Sequence, residues 1–299
     1  MDFRKKFRVP PGTKVNLGGV DAAFKGTHVS HQDAASEIAR HIEALERLQY
    51  RLYAEGLRSL LIVLQGLDAS GKDGVIRHVF SGTNPQGVNV TSFKQPTPEE
   101  DQHDFLWRAH RRTPAKGEIM IFNRSHYEDV LIVRVHNLVP KSVWLTRYER
   151  ICDFEHLLTD GGTRILKFYL HITPEEQLSR FKDRLVDPQM NWKIRDTDYT
   201  EREHWPAYIE AYEEAIRGTT TAHAPWFIIP SNHKWFRNLA ISSILVHTLE
   251  EMDLQTPQPS VDLRAIRRRY HSAKIEQKNN KIGVMNRKRP PLAARKDPT

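Results

Sequence analysis

Leu60-Leu-Ile-Val-Leu-Gln-Gly-Leu-Asp-Ala-Ser-Gly-Lys-Asp-Gly74 decides the architecture. Its first five residues form an unbroken apolar run of strand length, the pattern of a strand covered on both faces. A glycine-rich turn follows, and Val75, Ile76, Val79 and Phe80 then resume at helical spacing. Two glycines five positions apart, with a lysine directly after the second, have the spacing of a Walker A phosphate loop. Glycines let the backbone curl round an anion, main-chain N–H groups turn inward, and the helix N-terminus adds a favourable dipole. Gly66, Ala69, Ser70, Gly71, Asp73 and Gly74 are therefore assigned to phosphate, and Lys72 to neutralising the transferring group. One position departs from the pattern. Asp73 stands where Ser or Thr would ligate magnesium, so the metal must be held differently, and Asp68 inside the loop is the candidate carboxylate. An ordinary glycine turn is the plain alternative; strand, spacing, lysine and helix together speak against it.

Outward from this loop the chain alternates. Glu37 to Gly56 carries Ile38, Ile42, Leu45, Leu48 and Leu52 near helical spacing. Val88 to Phe93, Glu118 to Phe122, Arg164 to Ile172 and Ala224 to Pro230 read as strands. Helices are expected over Pro98–Arg112, Val143–Leu158, from Thr173-Pro-Glu-Glu176 onward, and from about His233 to Met252. Strands alternating with helices predict an α/β fold, a mostly parallel sheet covered on both faces, with ligands at the carboxyl ends of the strands. The division expected is an extended lead-in over residues 1–35, a phosphotransferase domain over 36–256, and a tail over 257–299.

Composition narrows the class. Among 299 residues 39% are hydrophobic and 27% charged, a globular balance. No run approaches the roughly 18–20 apolar residues that span a bilayer, and the basic start lacks an apolar segment of the secretory type. Cys152 is the only cysteine, which excludes an intrachain disulfide and a multi-cysteine zinc site and fits a reducing cytoplasm. The net charge of +8 is a property of the tail: from Ser260 to Thr299 there are 12 Lys/Arg against 3 Asp/Glu. With few apolar residues and no sustained period, this basic stretch is expected to be largely disordered, either a solvated extension or an arm that attracts polyanions.

A second group of polar residues follows the Glu118–Phe122 strand: Phe122-Asn-Arg-Ser-His-Tyr-Glu-Asp129. Arg124 suits bidentate contact with phosphate oxygens. Glu128 and Asp129 form an acidic pair suited, with Asp68, to magnesium or to orienting the acceptor. Asn123, His126 and Arg134 are the candidates for the nucleotide. For His126 a positioning role is favoured over a base, because transfer between phosphates moves few protons. Lys182, Arg184, Lys193 and Arg195 lie in a basic segment read as a lid, about residues 182–200, that closes over the phosphates. Arg77, Lys94, Arg108, Arg111 and Arg112 follow the first two strands and are the further basic candidates for phosphate.

Gly66 to Gly74, then Asn84-Pro-Gln-Gly87, then Phe122 to Asp129 together resemble the polyphosphate kinase 2 family. Pro225-Trp226 and Pro230-Ser-Asn-His-Lys-Trp-Phe-Arg-Asn238 add to the likeness, which runs from about residue 40 to 255. It implies a thymidylate-kinase-like P-loop kinase fold with a helical lid. It also implies reversible transfer, dependent on magnesium or on manganese in its place, between inorganic polyphosphate and a nucleoside mono- or diphosphate, in a homo-oligomer (dimer or tetramer). Asp68 and Lys72 match the family's Walker A acid and lysine, Arg124 its Walker B arginine, and Lys182 and Arg184 its lid cations. With Asn123 before that arginine, the motif is similar to the branch that accepts AMP as well as ADP, with guanine nucleotides as further acceptors. Two rivals share the loop. An ordinary nucleoside monophosphate kinase would need ATP as donor; a nucleic-acid-binding NTPase would lose its affinity with the basic tail, whereas an enzyme of the first kind keeps its turnover.

Overall fold

Five strands, β1 (Ser59–Gln65), β2 (Val88–Ser92), β3 (Ile119–Asn123), β4 (Thr163–His171) and β5 (Trp226–Pro230), form one sheet in the order β2-β3-β1-β4-β5. Every pairing is parallel; Leu60 lies opposite Ile119 on one side and Arg164 on the other. The computed structural model describes residues 1–287. The chain divides into one unit from Met1 to Thr256 and a second beginning at Pro257. Helices of the first unit are α1 (Phe3–Phe7), α2 (His31–Glu55), α3 (Lys72–Val79), α4 (Trp107–His110), α5 (Ile132–Val135), α6 (Lys141–Asp160), α7 (Pro174–Val186), α8 (Thr197–Glu203), α9 (Trp205–Thr219) and α10 (Lys234–Glu251).

All seven residues of β1 are buried, as a strand covered on both faces requires. Side chains alternate between two cores. Leu60, Ile62 and Leu64 pack with α2, α3 and α10, whereas Leu61 and Val63 pack with α6 and α9. The second core holds a buried polar network. Lys167 Nζ donates to Glu155 Oε2 at 2.5 Å, to the Thr219 carbonyl at 2.8 Å and to Tyr127 Oη at 3.0 Å. Burial lowers the Lys167 pKa; at Glu155 burial acts upward, and Lys167 and His126 together reverse it.

The local signals act as their chemistry dictates. Thr173 Oγ1 accepts from the Glu176 N–H and Pro174 takes the first position, which starts α7. Gly56 ends α2 at φ +64°. That helix starts at His31 rather than near Glu37, because Ser30 and Asp33 form a reciprocal capping box ahead of the apolar stripe. The lead-in is not simply extended: α1 inserts Phe3 and Phe7 among Phe24 and Phe236. The helix expected over Pro98–Arg112 is reduced to a 3₁₀ turn (Glu100–Gln102) and α4. Thr97 and Glu100 cap each other across one turn, and the Arg108 side chain is drawn to the Lys94 carbonyl instead of running along a helix.

The tail also differs from the expectation of disorder. In the second unit Leu263–Arg287 is a helix, α11, with Asp262 Oδ1 accepting from the Arg264 N–H at its start. Residues such as Arg, Ala, Lys, Gln and Glu carry helix propensity without any apolar face to bury. Residues 288–299, with the end of the basic run, lie outside the described residues. Among the described residues no helix is long and apolar enough to cross a membrane.

Candidate active site

The sheet reverses its winding at β1, with β3 on one side and β4 on the other. A crevice therefore opens at the carboxyl end of β1. The Gly66–Lys72 turn leaves β1 there. Gly66 has φ +147°, and a Cβ on it would meet Ser70 Oγ at 2.8 Å and the Leu170 carbonyl at 2.9 Å. Only glycine lets this loop lie so close to β4. Ala69 adopts φ +61°, and the Ser70 N–H closes the turn on the Leu67 carbonyl.

Lys72 opens α3 and is 8% exposed. Its ammonium donates to the Gly66 carbonyl at 2.6 Å and to the Leu67 carbonyl at 3.3 Å. Burial, with the Arg124 charge second, lowers its pKa to about 8. Across the crevice, Arg124 leaves β3 at φ +59° with its N–H tied to the Leu64 carbonyl. This left-handed kink turns the guanidinium toward the loop: Nη2 donates to Asp68 Oδ1 at 2.6 Å, and Nη1 lies 4.0 Å from Glu128 Oε2. Burial opposes the Arg124 charge, but Glu128 and Asp68 outweigh it and raise the pKa. Gln65 holds the floor, donating to Ser125 Oγ at 3.0 Å and Glu128 Oε1 at 3.2 Å while accepting from Tyr212. Burial raises the Glu128 carboxyl against the lowering effect of Arg124.

The structure thus brings Asp68, Lys72, Arg124 and Glu128 together. It separates Glu128 from Asp129, which turns away to Arg108 at 3.1 Å and Arg147 at 3.6 Å. Asp129 is thereby spoken for by two guanidinium groups and leaves the proposed metal set. Arg108, one of the further basic candidates for phosphate, is buried against the Lys94 carbonyl and Asp129. Arg77, Lys94, Arg111 and Arg112 are exposed, with Arg111 stacked over Trp107.

The nucleotide candidates divide as well. Asn123 donates to Asp73 Oδ1 at 2.8 Å, at the edge of the loop. His126 is fully buried, 3.6 Å from Glu155 and packed on Phe154, so it belongs to the core network and cannot touch a nucleotide. Arg134 is held by Glu214 and Glu210 of α9 and lies over Trp144, an assignment to packing rather than to the crevice. The expectation that both face the nucleotide fails because the 3₁₀ turn His126–Val130 and α5 direct successive side chains to different sides.

The basic segment after α7 reaches the loop through one residue. Lys193 Nζ lies 3.8 Å from Asp73 Oδ2. Arg184 is engaged with Asp198 at 3.3 Å inside the segment, and Lys182 and Arg195 are exposed. Other residues of the crevice escaped the sequence reading. Gln177, Glu201, Arg202, Trp205, Tyr208 and Tyr212 complete its wall with Gly66, Leu67, Asp68, Arg124 and Glu128. Arg202 Nη1 donates to Gln177 Oε1, and Gln177 Nε2 donates to the Asp68 carbonyl, which couples α8 through α7 to the loop. The available signal was spacing: Trp205, Tyr208 and Tyr212 recur at three and four residues, on one face of α9.

The loops after the adjacent strands β1 and β3 thus bring Lys72 and Arg124 within electrostatic reach of each other, with Asp68 and Glu128 near both. This arrangement can hold a phosphate between cations while hard carboxylate oxygens share a divalent ion with it. Among the described residues no group of three or more His, Cys, Asp or Glu forms a metal cage. Comparisons with known proteins point the same way. The family described as Polyphosphate kinase 2 (PPK2) matches residues 28–257. An AMP/ADP-polyphosphate phosphotransferase of Meiothermus ruber is 51% identical over 259 residues, 85% of this chain and 96% of that protein. An ADP-polyphosphate phosphotransferase of Rhodopseudomonas palustris is 42% identical over 266 residues, 85% of this chain and 92% of that protein. The crystal structure of Polyphosphate Kinase 2 from Arthrobacter aurescens TC1 superposes with a TM-score of 0.87 at 38% identity, covering 91% of this chain and 97% of that one.

Proposed function

The chain belongs to the polyphosphate kinase 2 family, and from that premise we propose that it transfers phosphoryl groups reversibly between inorganic polyphosphate and AMP or ADP. The placing of Lys72 and Arg124 after the adjacent strands β1 and β3, with Asp68 of the Lys72 loop bonded to Arg124, is the observation that carries this reading. A transferring phosphoryl group needs placement and charge neutralisation more than covalent chemistry. The loop N–H groups and Lys72 bind one phosphate. Arg124, oriented by Asp68 and kept charged by Glu128, neutralises the equatorial oxygens. Trp205, Tyr208 and Tyr212 shield the crevice and offer flat faces to a base.

Asp68 and Glu128 suit magnesium, or manganese in its place: both line the crevice, and hard cations take one or two carboxylates together with substrate phosphates. The bound ion would supply charge neutralisation between donor and acceptor phosphates. Chelation is expected to stop turnover and added magnesium to restore it. Acceptance of AMP as well as ADP follows the Asn123 form of the second loop and the likeness to the Meiothermus ruber protein; GMP and GDP are further acceptors, the chain works in the cytoplasm, and it assembles as a homo-oligomer. Initial rates with saturating polyphosphate and each nucleotide in turn test the acceptor range. Product from both AMP and ADP is expected; an inert AMP would restrict the enzyme to diphosphates.

A further inference from the structure

Arg237, in the first turn of the buried helix α10, is 2% exposed and lies against the phosphate loop. A Cβ added to Gly71 or Gly74 would overlap its guanidinium, so these glycines make room for the arginine as well as for a phosphate. Its Nε and Nη2 donate to Asn238 Oδ1 at 3.2 and 2.9 Å, and its Nη1 reaches the Ser70 carbonyl at 3.4 Å. Arg180, from α7, converges on the same carbonyl at 3.0 Å and on the Ala69 carbonyl at 2.8 Å. The two arginines differ in one respect. Arg180 is paired with Glu176 at 2.6 Å, whereas among the described residues no carboxylate lies within ion-pair reach of Arg237.

A buried guanidinium without a counter-charge is costly to keep. Burial and the neighbouring Arg180 push its pKa down to about 9. Apolar neighbours such as Phe236, Leu239 and Ala240 show that α10 had no need of a cation for packing. We propose that Arg237 is a positioning residue for the anion, a counter-charge placed behind the loop whose missing partner is the bound phosphate chain itself. Two effects combine. The positive field acts through a thin, low-dielectric layer of backbone. The Ser70 carbonyl and the Gly71 N–H belong to one planar peptide and point to opposite sides, so holding the carbonyl from behind aims the N–H at the anion.

This inference rests on the phosphate-loop reading, and one experiment separates the two. Full-length protein is titrated calorimetrically with sodium tripolyphosphate, without nucleotide, and its thermal unfolding is followed in the absence of the anion. Asn238→Asp places a carboxylate on the two nitrogens that Asn238 Oδ1 already accepts from. It is expected to unfold at the same or a higher temperature, yet to bind tripolyphosphate at least about tenfold more weakly, because the charge is now neutralised inside the protein. Arg237→Met is expected to weaken binding similarly, and Arg237→Lys to weaken it less than Arg237→Met, because lysine keeps the charge but loses the guanidinium fork. Unchanged affinity in Asn238→Asp overturns the inference while leaving the loop assignment intact, and this variant decides alone if Arg237→Met does not fold. Binding by Arg237→Lys no tighter than by Arg237→Met shows that the charge does not act on the anion and also overturns it. A parent protein that binds no tripolyphosphate overturns both readings.

Discussion

Lys72 and Arg124 are both cations next to the same carboxylates, yet they respond to pH in opposite ways. Arg124 stays charged at any working pH, whereas Lys72, lowered to about 8, is poised to lose its proton. Between about 8 and its ordinary value of 10.5 the unfolded chain binds more protons at this lysine than the folded one, so stability contributed by this group rises with pH. Relative to Lys72→Met, the parent protein should gain on the order of 3 kcal/mol across that window, read from denaturant unfolding at several pH values. A gap that does not change with pH would mean that the lysine is not desolvated. Affinity for polyphosphate runs the other way. It is expected to fall above about pH 8 as Lys72 discharges, raising KM while kcat at saturation holds, because a bound anion favours the charged lysine. Arg124→Ala should lower kcat by roughly 10²–10³-fold with the fold retained, the scale of removing one electrostatic stabiliser. The sequence displayed both residues plainly, since a strand followed by glycines and a lysine admits few other readings. It concealed the fate of His126 and Asp129, whose direction depends on a 3₁₀ turn and on Arg108 and Arg147 arriving from elsewhere in the chain.

At the scale of elements, α8 adds Glu201 and Arg202 to the crevice wall, and a short segment joins it to α7. Its tip carries Trp192, 76% exposed, with Lys193 over its ring and within 3.8 Å of Asp73. Asp73 occupies the position where a hydroxyl is usual in such loops, and here it receives Asn123 from β3 and Lys193 from the turn between α7 and α8. An exposed pair of this kind stabilises little by itself. Lys193→Met should therefore leave the unfolding temperature unchanged but raise KM for polyphosphate by about fivefold, since it removes one charge facing the phosphates. Trp192 fluorescence provides the check on closure: a change when polyphosphate and ADP are added together is expected, and an invariant signal would place the lid tip outside the cycle. Helix α7 was legible from Thr173-Pro-Glu-Glu176, because a cap, a proline and acidic residues act locally. Helices α8 and α9 were not read, although they supply Glu201, Arg202, Trp205, Tyr208 and Tyr212 to the wall; their role depends on docking against α7 and β1, which no local pattern announces.

For the whole molecule, the parallel sheet was the most legible property, because β1 and β4 are apolar on both faces and each strand is followed by its own helix. The two ends were less so: α1 forms in the lead-in expected to be extended, and α11 in the tail whose low apolar content suggests disorder. The buried Lys167–Glu155 pair ties β4 to α6. Removing one partner strands the other, so Glu155→Gln should cost roughly 3–5 kcal/mol in denaturant unfolding; a loss below about 1 kcal/mol would show that Tyr127 and Thr219 satisfy the lysine unaided. Fold and site together lead to a single claim, that the phosphoryl donor at this loop is polyphosphate rather than a nucleoside triphosphate. The most direct measurement is nucleotide formation by the purified chain with magnesium, polyphosphate and either AMP or ADP, with no ATP added. ATP from ADP, and ADP from AMP, is the predicted result. No product under those conditions, with phosphorylation of AMP appearing only when ATP is supplied, would contradict the claim and identify an ordinary nucleoside monophosphate kinase.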